Sequence, residues 1–182
     1  MENKLTPQEQ QVLLTLAREA ITEAVTHKTV SVRKVANGNL KSRSGCFVTI
    51  KISDRLRGCI GTFTSQKPLY ATVQEMAAAA ATRDPRFYPL RPDELDAIRI
   101  EISVLSPLKK IESIEEIKVG VHGLYIEKGL YRGVLLPQVA AEYGWDRDTF
   151  LAQTCLKAGL DPDAWKKDAD ISIFTAQIFG EK

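Results

Sequence analysis

An α+β fold with mostly antiparallel sheets is what the sequence predicts, and three observations carry it. Two stretches, Cys46–Ile52 and Ile98–Val104, alternate apolar and polar residues with a period of two, the mark of half-buried strands. Residues 7–26, 68–82 and 146–158 place apolar side chains at helical spacing behind a capping residue or a proline. Twice a hairpin precedes a proline-started helix, so short turns join the paired strands.

The first helix opens at Thr6-Pro7-Gln8-Glu9, where Thr6 can cap the free amide of Glu9 and Glu9 can reach back. Val12, Leu13, Leu16, Ala17, Ala20, Ile21, Ala24 and Val25 then form one core-facing stripe. From Lys28 to Ser44 the pattern dissolves into Asn37-Gly38-Asn39 and scattered Lys28, Arg33, Lys34, Lys41 and Arg43, which reads as a mobile basic loop. Cys46, Val48, Ile50 and Ile52 form the inner face of a strand, Ser53-Asp54-Arg55 turns the chain, and Leu56–Phe63 returns carrying Gly58 and Gly61. Pro68 opens a helix to Thr82 with Leu69, Val73, Met76, Ala77 and Ala80 inward, and Asp84-Pro85 stops it. Ile98–Val104 is a strand that Pro107 ends, and Ser113–Ile117 is one capped helical turn. Val119–Glu127 and Leu130–Leu136 form a second hairpin around Lys128-Gly129. Pro137 starts a helix that Gly144 ends, Asp146 caps another to Ala158 with Phe150, Leu151 and Cys155 inward, and Ile171–Phe179 closes the fold as one strand. Leu56-Arg57-Gly58 and Tyr131-Arg132-Gly133 are alike, which favours two lobes of one architecture packed without a flexible linker.

Composition bounds the function without naming it. With 182 residues, 44% hydrophobic and 26% charged, the chain matches ordinary globular domains and excludes disordered or fibrous classes. A net charge of +2 supplies no general field for polyanions. The polar start Met1-Glu2-Asn3-Lys4 gives no secretory signal, and the longest apolar run, Met76–Ala81, is far short of the roughly 20 residues that span a bilayer, so a cytosolic protein without membrane attachment is expected. Cys46, Cys59 and Cys155 are odd in number and lack Cys-x-x-Cys spacing, which fits reduced thiols; with only His27 and His122 beside them, no metal site and no cofactor is expected. Phosphate-cradling loops, dinucleotide fingerprints, His-Glu-x-x-His and Gly-x-Ser-x-Gly are all missing from the sequence.

The most informative stretch is Arg57-Gly58-Cys59-Ile60-Gly61-Thr62, because glycine inside a strand weakens it unless something must approach the backbone. In a regular strand Arg57 and Cys59 share a face, which would set a guanidinium near the thiol and make Cys59 a candidate nucleophile. The competing reading makes Cys59 a small packed residue and lets the glycines accommodate a bulge or a neighbouring helix. Asp84-Pro85-Arg86-Phe87 is a proline-stiffened turn that can hold Arg86 for an anion, or merely pair it with Asp84. His122, between glycines, can be acid, base or a structural hydrogen-bonding residue. Gln138 lies in an exposed first helical turn, where it can meet an anion or an amide. Nucleic-acid binding through the basic loop is disfavoured, since no aromatic residues interleave the charges.

Leu56-Arg57-Gly58-Cys59-Ile60-Gly61-Thr62 resembles the signature of the AMMECR domain family. Asp84-Pro85-Arg86-Phe87, Glu101–Pro107, Leu135-Leu136-Pro137-Gln138, Gly144-Trp145-Asp146 and Ala176-Gln177-Ile178-Phe179 resemble further family blocks in the family's order, so the resemblance covers a single domain over residues 5–181. It implies two unequal, closely packed α/β lobes with the glycine-rich signature near their junction. It also implies the bacterial and archaeal AmmeMemoRadiSam system, whose other members are a Memo-type protein and a radical-SAM enzyme. No reaction comes with it. The expectation is an inter-lobe ligand cleft lined by Arg57, Gly58, Cys59, Gly61, Thr62, Asp84 and Arg86, with His122 and Gln138 as further candidates, for a small molecule or a peptide. The alternative is a protein-interaction module without catalysis.

Overall fold

The computed structural model describes residues 4–26, 29–36 and 38–182. Met1–Asn3, His27, Lys28 and Asn37, which enter the readings of the N-terminus and the basic loop, lie outside the described residues. In chain order the elements are α1 (Pro7–Val25), β1 (Cys46–Ile52), β2 (Arg55–Thr62), α2 (Leu69–Thr82), β3 (Ile98–Leu105), β4 (Lys109–Lys110), β5 (Gly123–Lys128), β6 (Tyr131–Leu135), α3 (Pro137–Glu142), α4 (Arg147–Lys157), β7 (Asp170–Phe174) and β8 (Ala176–Gly180). Short 3-10 turns lie at Asn39–Lys41, Pro92–Glu94, Ile114–Glu116 and Ala164–Lys166. The chain divides into two compact units, Met1–Leu105 with Gln177–Lys182, and Ser106–Ala176.

The first unit is a four-stranded sheet in the order β2-β1-β3-β8. Val48, Ile50, Ile98, Ile100 and Ile102 face one way and join Leu13, Ala17, Ile21, Leu69, Val73 and Ala77 of α1 and α2 in one core. The other parity, Phe47, Thr49 and Lys51 on β1 with Glu101 and Ser103 on β3, faces away from the helices. α1 starts with a complete capping box, Thr6 and Glu9 each satisfying the other's backbone amide. Ser53 and Asp54 form the hairpin turn, both with positive φ (48° and 61°).

The basic loop is tied down where it is described, contrary to a mobile reading. The amide of Gln74, a buried side chain of α2, accepts from the backbone N–H of Arg33 at 2.9 Å and donates to its carbonyl at 3.1 Å. Leu40 is fully buried, and Val30 and Val35 pack on the core. Apolar residues spaced irregularly among charges carry no period, which is why the anchoring is invisible in sequence.

The second unit has strand order β4-β7-β5-β6, with Leu124, Ile126, Phe150, Leu151, Cys155, Ile171 and Ile173 in its core. Read from the return strand of each hairpin, the orders β2-β1-β3-β8 and β6-β5-β7-β4 agree over three strands, the hairpin and the strand that follows its helices. The fourth strand ends the first unit's chain and begins the second's, so the two topologies are related by a circular permutation. The matched glycines also behave alike. A Cβ on Gly58 would stand 2.3 Å from the carbonyl oxygen of Ala80 in α2, and one on Gly133 would stand 2.6 Å from that of Thr154 in α4.

Two strand boundaries differ from expectation. Residues 171–179 are two strands, divided at Thr175 between the two sheets: Ile171 and Ile173 pack in the second unit and Phe179 in the first. Alternation alone does not say which sheet receives a strand. Val119–Val121 is a turn, and β5 begins only at Gly123.

Candidate functional site

β2 is the edge strand of its sheet, and it is irregular where the sequence reading takes it as regular. Ile50 pairs with Gly58 but Lys51 with Leu56, so Arg57 is the extra residue of a β-bulge. The bulge re-aims the Arg57 side chain. Its Nε and Nη2 donate to the two carboxylate oxygens of Glu94 at 2.8 and 2.9 Å, and Nη1 donates to the Tyr88 carbonyl at 2.9 Å. This bidentate pair is half-buried, and the guanidinium holds the Glu94 carboxyl below its ordinary pKa. The expected placement of Arg57 beside the Cys59 thiol is therefore corrected: Sγ accepts from the Thr49 hydroxyl at 3.2 Å, and the guanidinium that interacts with the Cys59 side chain is that of Arg86.

Asp84 and Arg86 meet the same strand from the turn after α2. The Asp84 side chain is only 2% exposed and accepts the Cys59 N–H at 2.8 Å. Arg86 donates to it through Nε at 3.0 Å and Nη2 at 2.7 Å, and Nη2 also reaches the Cys59 carbonyl at 3.2 Å. The Arg86 backbone N–H completes the clamp at 3.1 Å. The Arg86 guanidinium first, then the Cys59 and Arg86 amides, hold the Asp84 carboxyl well below the usual carboxylate range against the opposing effect of burial. Arg86 itself stays 55% exposed and lies over the Phe87 ring, 5.5 Å from its centroid. The ion-pair reading of this turn is realised, and the pair holds the guanidinium in place at the Cys59 carbonyl.

The glycines record close approach, but by the protein itself. Gly58 meets the α2 backbone, which the run Ala77–Ala81 brings near. A Cβ on Gly61 would lie 2.3 Å from the Phe47 ring and 2.5 Å from the Cys46 carbonyl oxygen. Phe47 in turn packs edge-to-face on Phe63, with centroids 4.9 Å apart. Thr62 donates to the Thr64 carbonyl at 2.7 Å.

The first unit so brings together Arg57, Gly58, Cys59, Gly61, Thr62, Asp84 and Arg86; His122 and Gln138 belong to the second. His122 sits just before β5, off the strand, and its Nδ1 accepts the Lys118 N–H at 3.1 Å, closing the turn as a structural histidine would. Gln138, in the first turn of α3, is half-buried rather than exposed, and its Oε1 is shielded with no hydrogen-bond partner among the described residues. Arg33 of the basic loop is paired with Glu19 and Glu23. Cys46 and Cys155 are fully buried, and burial pushes the Cys46 thiol up to about 12. Among the described residues no group of three or more His, Cys, Asp or Glu is placed to hold a metal ion, and no helix is long and apolar enough to cross a membrane.

Thr49, Phe47 and Glu94 complete the constellation without having been singled out in the sequence. Thr49 and Phe47 stand opposite Cys59 and Gly61 across the hairpin, but the bulge shifts that register by one residue, so counting back from the turn misses them. Glu94 lies 37 residues from Arg57 and has no local signal.

Comparison with known proteins follows the same lines. The family model described as AMMECR1 matches residues 14–179. The chain is 44% identical to the protein MK0488 of Methanopyrus kandleri, over 100% of this chain and 93% of that protein. It is 46% identical to the protein TK0174 of Thermococcus kodakarensis, over 93% and 89% of the two chains. The crystal structure of the uncharacterized protein PH0010 from Pyrococcus horikoshii superposes with a TM-score of 0.82 at 43% identity, covering 93% of this chain and 90% of that one.

Proposed function

The chain belongs to the AMMECR1 family, and on that premise we propose that the strand segment Arg57–Thr62 and the turn Asp84–Phe87 form the binding site for a small molecule or a peptide segment. The observation that carries the reading is the double clamp on Cys59, whose N–H is taken by a buried carboxylate and whose carbonyl is met by a guanidinium held on that carboxylate. Three side-chain hydrogen bonds spent on one edge residue, from Asp84, Arg86 and Thr49, fix its position before any ligand arrives, which is how binding sites limit the ordering cost of association. Cys59 and Thr49 lie on the face away from the helices, so a ligand there meets a thiol, a hydroxyl and the Phe47 ring. Service as one component of a cytoplasmic system with a Memo-type and a radical-SAM protein belongs to the same proposal.

Mass-resolved alkylation tests it. The buried Cys46 and Cys155 serve as internal controls, and fractions of a metabolite pool are expected to slow alkylation of Cys59 alone. Equal Cys59 rates with every fraction, while the controls stay unreactive, would remove the binding site.

A second reading, docking without catalysis, is favoured by one surface feature. Leu130 at the β5–β6 turn is 96% exposed, and its neighbour Tyr131, which lies against Gly159, and Leu156 of α4 are exposed as well. Capture of a purified Memo-type or radical-SAM protein by the wild type, lost in Leu130→Asp and kept in Arg86→Ala, is the result this reading requires.

A further inference from the structure

We infer that the β2 edge beside the Asp84–Arg86 clamp takes an extended peptide carboxylate, one peptide residue pairing with the backbone of Gly61 while the carboxylate meets Arg86 Nη1. This rests on the binding-site reading above and names its ligand class. In an antiparallel pair, residues whose N–H and C=O bond the neighbouring strand alternate with residues whose groups point away. β2 has β1 on one side and, among the described residues, no strand on the other. Cys59 is an outward residue, since its N–H goes to Asp84 and its carbonyl to Arg86. The register is regular from Cys59 through Thr62, so Gly61, two residues on, is outward as well.

The two outward sites differ in how they are answered. At Cys59 a carboxylate and a guanidinium stand where a neighbouring strand would place its C=O and N–H. At Gly61 no described group does so. A donor and an acceptor spaced as a peptide unit are matched by another extended backbone, the general logic of strand addition. The clamp also sets direction and length. An incoming segment cannot continue past Cys59, where Asp84 and Arg86 occupy the edge, so it runs antiparallel to β2 with its C-terminal end at the clamp. There it meets Arg86, whose Nε and Nη2 donate to oxygen acceptors while Nη1 donates to no oxygen among the described residues, the guanidinium's other neighbour being the Cys59 side chain. That charged donor, already oriented by Asp84 and the Phe87 ring, selects a carboxylate. The carboxylate can be a chain terminus or an acidic side chain.

The test is an amide-resolved NMR titration of the full chain with three acetylated tetrapeptides: Ala-Thr-Val-Val as the free acid, the same sequence as its C-terminal amide, and Ala-Thr-Val-Asp as its amide. The Gly61 N–H resonance is expected to shift saturably with the free acid, with the aspartate peptide, or with both, and which of them acts identifies the source of the carboxylate. The plain amide is expected to bind about tenfold more weakly, the loss of one charge-assisted hydrogen bond. Arg86→Lys is expected to shrink that difference while leaving the remaining amide spectrum in place. A Gly61 resonance unmoved by all three peptides, or moved equally by acid and plain amide, overturns the inference. If Cys59 is protected by metabolite fractions while Gly61 ignores the peptides, only the ligand class fails; if neither responds, the binding site fails with it.

Discussion

Glycine at position 58 is a packing requirement, and its substitution reads out how closely α2 is pressed on β2. Because the oxygen 2.3 Å from the missing Cβ belongs to helix backbone, Gly58→Ala must displace an element rather than rotate a side chain. The expected cost is about 1–3 kcal/mol in urea unfolding. Gly38, with open space around it and a φ of −62°, is the control, and its alanine variant should be neutral or slightly stabilising. Equal midpoints for the two variants would refute the close approach. Asp84 gives a pH-dependent prediction. Its folded-state pKa lies below the unfolded value of about 3.9, so the unfolded chain takes up the proton first as acid is added. The stability it contributes is complete above about pH 5 and is lost as pH falls through 4 toward the folded-state value. Asp84→Asn should cost roughly 1–3 kcal/mol at neutral pH and flatten the decline in urea midpoint between pH 5 and 3. A variant profile parallel to the wild type would contradict the clamp. At this scale the sequence named Arg57, Cys59, Asp84 and Arg86 correctly as neighbours but misjudged who faces whom. One inserted residue at Arg57 exchanges faces along a strand, and no local pattern announces it.

Among the elements, the β1–β2 hairpin carries a cost that its turn residues make visible. Ser53 and Asp54 both adopt positive φ, a geometry that suits Asn-Gly. The double variant Ser53→Asn, Asp54→Gly should therefore raise stability, by about 1 kcal/mol, with the sheet unchanged. A lower melting temperature for the double variant would mean that the turn is held by something other than its own backbone preference. Ser53-Asp54 was legible as a turn and Cys46–Ile52 as a strand because each needs only neighbours to define it. The division at Thr175 was not, since Ile171, Ile173 and Phe179 keep one alternation while serving two cores. Lys109–Lys110 was missed for a different reason: two exposed lysines on an edge strand have no apolar face to declare.

For the molecule as a whole, the second unit is inserted into the first between β3 and β8. The two ends of the insertion are joined to each other, Ser106 donating its N–H to the Thr175 carbonyl at 2.9 Å and accepting the Thr175 N–H on its hydroxyl at 2.9 Å. Replacing residues 107–174 by a tight turn should thus leave a first unit that folds, checked by a single cooperative thermal transition and dispersed amide resonances. A molten spectrum would show that its core needs the insertion. The strand β8 itself is tied in by Gln177, which exchanges two hydrogen bonds with the Leu5 backbone at 2.9 Å. Glu181 adds to this by accepting from Arg18 at 2.6 Å and from the Ile100 N–H at 2.9 Å.

That interruption reverses the order of completion on the ribosome. Synthesis delivers all of the second unit's strands as one continuous stretch, whereas the first unit, begun earlier, waits for residues 177–181 before β3 has a neighbour on its outer side. Until then Leu5, Arg18 and Ile100 have no Gln177 or Glu181 to bond. A nascent chain stalled just short of β8 would hold a finished younger half beside an older half with an open sheet edge, the species that a chaperone or a second nascent chain would encounter first.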